Sequence, residues 1–164
     1  LQKAGWQVKL TRSGAQAASS QQREDLARRS QVFISLSVGR FPGAQRQGVT
    51  IWQPTGGASA QIINSYRDAT DALTQSAVDT GAQTKQLSTL LSQQLAQQGI
   101  KAATQQMPRL YPSNEAPHAA FALELGWPQA AADQGNAAQR QSAAAQALAL
   151  SVASFLKARA GGQP

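Results

Sequence analysis

The sequence predicts a single α/β domain, built on one mixed, mostly parallel sheet with helices on both faces. Three observations predict it. Strand-like runs alternate with helical stripes in the order strand, helix, strand, strand, helix, helix, strand, strand, helix. Val32–Val38 is almost continuously apolar, which suits a central strand buried on both sides. The chain has 164 residues, 41% of them hydrophobic, enough for one domain with a sizeable core.

Each element has its own reason. Leu1–Ala4 followed by Gly5 reads as a helix tail with its C-terminal glycine. Trp6, Val8 and Leu10 alternate with Gln7 and Lys9, a strand running to Arg12. Ser13–Ser20 is small and polar, a loop, and Gln21–Ser30 is a short charged helix with Leu26 as its main apolar contact. In Val32–Val38, Phe33, Ser35 and Ser37 share one face. Gly39–Gly48 is a loop, and Val49–Trp52 is a strand ended by Pro54.

Gln61–Ala77 places Ile62, Tyr66, Ala69, Leu73 and Ala77 on one helical stripe. A break is expected at Thr80-Gly81. Thr84–Gln98 is a second helix, with Leu87, Leu90, Leu91 and Leu95 on its apolar side and Gly99 as its stop. Ile100–Ala103 is too short to assign, a polar loop follows to Pro108, and Arg109–Tyr111 is a short edge strand. In the next strand Phe121, Leu123 and Leu125 alternate with Ala120, Ala122 and Glu124, and Gly126 turns the chain. Pro128–Gly135 is a loop. The last helix, within Asn136–Ala160, sets Ala144, Leu148, Val152, Phe155 and Leu156 on one face. The domain is placed at residues 1–160, and the tail 161–164 should fray.

Composition narrows the functions. Fifteen Lys and Arg against 8 Asp and Glu leave a net charge of +7, which attracts anionic polymers. The basic residues are scattered apart from Arg23, Arg28 and Arg29, without interleaved aromatics, so nucleic-acid binding is not expected. No apolar run reaches the roughly 18 residues of a membrane span. The chain begins at Leu1 without an initiator Met, so a processed or excised chain is expected. There is no cysteine and one histidine, His118, so an ordinary zinc site cannot form from this chain alone. A Ser-His-Asp triad would need His118, which has no G-x-S-x-G element to serve. Glu124, a carboxylate at the end of a core strand beside two alanines, is the residue whose burial demands a partner or a use.

Three blocks resemble one family, in the family's order. Gly5-Trp6-Gln7-Val8-Lys9-Leu10-Thr11-Arg12 is similar to G-x-x-V-x-L-T-R. Val32-Phe33-Ile34-Ser35-Leu36-Ser37 stands for L-F-I-S-I-H, and Gly48–Trp52 follows as the family's next strand does. Phe121–Trp127 is similar to v-L-v-E-x-G-F. The family is that of the zinc-dependent N-acetylmuramoyl-L-alanine amidases, which cut stem peptides from bacterial peptidoglycan.

The resemblance implies an amidase-like fold, a bacterial envelope location (periplasmic or secreted) and zinc held by two His and one Glu. The first His motif would precede Leu1, the Glu ligand has no counterpart here, and Ser37 stands at the second His. Glu124 takes the family's general acid/base position, where a carboxylate relays a proton from zinc-bound water to the leaving amine. The expectation is a degenerate member, without zinc or any other cofactor, with Glu124 vestigial and with Ser35, Ser37 and Glu124 as cleft candidates. Its partner would be peptidoglycan or an envelope protein. The alternatives are an active zinc amidase whose N-terminal metal motif is lost from this chain, and a protein-interaction scaffold. The N-terminal strand of the fold is expected to be missing, leaving a sheet edge for upstream residues or another chain to cover. Oligomeric state, further domains and the wall chemistry recognised stay open.

Overall fold

The structure, a computed structural model, describes residues 1–2, 5–14, 16–38, 48–55, 70–108, 110, 112–113, 116–126 and 134–161. Its elements are β1 (Arg12–Ser13), β2 (Gln16–Ala17), α1 (Ser20–Arg28), β3 (Val32–Val38), β4 (Val49–Pro54), α2 (Thr70–Gln97), β5 (Ala102–Met107), β6 (Ala119–Leu125) and α3 (Gln134–Gly161). The main sheet has the order β3-β6-β4-β5. β3 runs parallel to β6, β4 antiparallel to β6, and β5 parallel to β4. The mixed α/β sheet is therefore the one the sequence predicts.

Period two divides β6. Ala119, Phe121 and Leu123 join Val49 and Ile51 of β4 under the apolar stripes of α2 and α3. α2 contributes Leu87, Leu91 and Leu95; α3 contributes Ala144, Ala147, Val152, Phe155 and Leu156. On the opposite face, Ala27 of α1 packs with Phe33, Ala116 and Ala120. Helices thus cover both faces.

Local chemistry sets the element ends. Ser19 and Gln22 form a reciprocal capping box that starts α1. At the end of α2, Ile100 N–H donates to the Leu95 carbonyl and Gly99 N–H to that of Ala96, with Gly99 at φ 69°. Trp6 and Gly5 repeat the pattern onto Leu1 and Gln2, as expected for a helix-ending glycine.

Several expectations are corrected. Trp6–Leu10 is not a strand. Trp6 and Val8 are half-buried and alternate with exposed Gln7 and Lys9, but Leu10 is exposed, and among the described residues the segment pairs with no strand, so the alternation forms no ladder. The Ser13–Ser20 loop contains the β1–β2 ribbon, and in α1 it is Ala27, rather than Leu26, that is fully buried. β3 is an edge strand among the described residues, with Leu36 67% and Val38 50% exposed; the central strand is β6.

The expected break at Thr80-Gly81 does not occur, because α2 continues from Thr70 to Gln97. The loop expected before Pro108 is instead strand β5, and Leu110 is buried outside any strand. Gln134 and Gly135, expected in a loop, belong to α3, as does Gly161, expected to fray. The Gly39–Gly48 loop up to residue 47, the Ile62–Ala69 part of the first helical stripe, Trp127 and the last three residues of the tail lie outside the described residues.

Candidate functional site

The odd-face residues of the helix-packed side leave the other face of the sheet to a short polar row. Ser37 of β3 and Thr50 of β4 are both in register with Glu124 of β6. The next row down is Ser35, Ala122 and Trp52. Register partners point to the same side of a sheet, with strands about 4.8 Å apart. The three sequence-predicted residues Ser35, Ser37 and Glu124 are thereby brought together. The place is the carboxyl end of the parallel β3–β6 pair, where α/β sheets commonly bind ligands.

Glu124 is 1% exposed and Thr50 is fully buried. The indole Nε1–H of Trp52 donates to Glu124 Oε2 at 2.9 Å. The two are diagonal neighbours across the β4–β6 pair, a separation an aromatic side chain spans. The residue opposite Trp52 is Ala122, whose small side chain leaves room for the indole; Leu110 and Met107 complete its apolar surround. The Ser37 Oγ is buried without a hydrogen-bond partner. Below the turn, Gly126 N–H donates to the Gly48 carbonyl at 2.8 Å and closes the end of the β4–β6 pair.

The described residues around Glu124 do not fit a zinc ion. Ser37 offers a neutral hydroxyl where a ligand must be a good donor. The one histidine, His118, precedes β6 at its other end. It is six residues from Glu124, about 20 Å along an extended strand. Among the described residues there is no group of three His, Cys, Asp or Glu side chains that could hold a metal. His118 has a pKa below the ordinary value, lowered first by desolvation and then by the Arg159 guanidinium. Arg159 donates to the Gln83 side chain and lies over the Phe155 ring.

Sequence reasoning missed Trp52 as the partner of Glu124. The signal was available only in part: a buried indole needs an acceptor, but which one depends on strand order. It also missed the pair Thr80 and Thr84, which tie α2 to the entry of β6. A groove of about 340 Å³ at the end of α2, lined by Ser92, Ala96, Gly99, Ile100, Lys101 and Ala102, contains none of the predicted site residues.

No family model matches the chain, and no curated protein matches it. Among solved structures it is similar to the N-acetylmuramoyl-L-alanine amidase AmiC2 of Nostoc punctiforme, with a TM-score of 0.60 and 18% identity. The match covers 95% of this chain and 76% of that one. The chain has an amidase-like α/β fold.

Proposed function

We propose that this chain is an amidase-fold domain of bacterial cell-wall metabolism that binds peptidoglycan without zinc and without cleaving it. One observation carries the reading: Ser37, not an imidazole, stands in register beside the buried Glu124. A carboxylate can relay protons in amide hydrolysis only if water and carbonyl are activated, and a neutral hydroxyl activates neither. The amidase-like fold supports a wall substrate, and the net charge of +7 suits the anionic polymers of an envelope. The location that goes with this reading is periplasmic or secreted.

The test uses purified sacculi incubated with the protein and added zinc. Pellets are assayed for bound protein and supernatants for released stem peptides by mass spectrometry, with Glu124→Gln alongside. Protein in the pellet with no released peptide is the expected result. Peptides released by the wild type and absent with the variant would instead establish an active amidase. Neither release nor pelleting would reject wall binding and favour a scaffold for another protein.

A further inference from the structure

We infer that Glu124 is a structural hydrogen-bond acceptor held by Trp52, and that this pair closes the former catalytic row to a metal. The inference rests on the non-hydrolytic reading above and gives Glu124 a structural use where no zinc fits. Trp52 is 4% exposed, so its indole N–H is out of water and must find an acceptor inside the protein. Glu124 Oε2 supplies one at 2.9 Å. The carboxylate is itself only 1% exposed, and one of its oxygens is occupied by the indole. Its register neighbours Ser37 and Thr50 are hydroxyls, which compensate no metal charge. The residue that replaces Glu124 at no structural loss is then glutamine, which keeps an acceptor oxygen for the indole.

The test follows the Trp52 indole N–H by nitrogen–proton correlation NMR on the whole chain, the peak being identified with Trp52→Phe. Expected is a peak that exchanges slowly with water, is retained in Glu124→Gln and does not move when excess zinc is added. Glu124→Leu and Trp52→Phe each remove one side of this buried hydrogen bond and should lower Tm by roughly 2–12 °C, while Glu124→Gln changes it little. The inference is overturned if zinc moves the Trp52 peak in the wild type but not in Glu124→Gln. It is also overturned if the peak exchanges like an exposed indole, or if Glu124→Gln loses as much Tm as Glu124→Leu. Should the leucine variant not fold, the zinc titration and the glutamine variant still decide. Peptide release from sacculi tests hydrolysis separately, so a zinc-shifted peak without release would sink this inference and the zinc-free part of the proposal while leaving the absence of cleavage standing.

Discussion

Thr84 of helix α2 accepts the backbone N–H of Ala120 at 3.1 Å, so a helix side chain completes the hydrogen bonding at the start of the central strand. One turn earlier, Thr80 Oγ1 donates to the Pro117 carbonyl at 2.8 Å. Both threonines are buried. Thr84→Val keeps the shape and strands the Ala120 N–H, an expected loss of about 1–3 kcal/mol in urea unfolding. Thr84→Ser should retain most of the stability. A valine variant as stable as the wild type would remove this hydroxyl from the account.

Two glycines should respond with opposite signs. Gly99 has φ 69°, so a Cβ there is strained even though no atom lies within 4 Å of it. Gly99→Ala should destabilise by about 1–2 kcal/mol. Gly81 lies inside α2, and its missing Cβ would likewise meet nothing within 4 Å. Gly81→Ala should stabilise by about 0.5–1 kcal/mol. Paired thermal melts check both, and two shifts of the same sign would refute the assignment of one helix end and one helix interior.

His118 gives a pH signature that can be read at a single proton resonance, since the chain has no other histidine. Its pKa in the folded protein lies below 6.5, through desolvation first and Arg159 second. The unfolded chain therefore takes up the proton first as pH falls. Stability should decline as pH drops below the unfolded value toward the folded one, and level off beneath it. Arg159→Gln should move the folded pKa back upward. A titration of the imidazole at or above the unfolded value would contradict the burial.

The core makes a plainer demand. Phe155 of α3 is fully buried in the cluster that holds Phe121 and Leu91. Phe155→Ala should cost about 3–5 kcal/mol. Circular dichroism during denaturant unfolding measures it, and a loss below that of an ordinary surface change would mean that α3 is not packed on the sheet.

The sequence made the fold legible where pattern and burial coincide. Phe121, Leu123 and Leu125 alternate with Ala120, Ala122 and Glu124 because one face of β6 takes the bulky core under α2 and α3, and that period survives into the structure. The capping glycines at 5 and 99 were legible because positive φ is a local demand. β5 was not, because Thr104, Gln105 and Gln106 carry little apolar signal on a sheet edge. The β3 run looked central because it is apolar, yet its exposure is set by which strand lies beside it, a non-local fact. The continuity of α2 through Gly81 reflects packing that overrides a weak local preference. Of the site, Ser35, Ser37 and Glu124 were named through the resemblance to family motifs, whereas Trp52 became their neighbour only through the antiparallel β4–β6 register.

Strand β6 comes late in the chain but sits in the interior of the sheet, between β3 and β4. During synthesis, β3 and β4 therefore emerge with a gap that nothing yet fills. β4, α2 and β5 form a continuous unit that can assemble beforehand, since their pairing is local to one crossover. β3 must wait for a partner that is translated much later, and any early pairing of β3 with β4 has to be undone to admit it. The ribosome thus delivers the keystone after the arch: a nascent chain halted before Ala119 holds β3 and the β4–β5 pair without the strand that hydrogen-bonds to both.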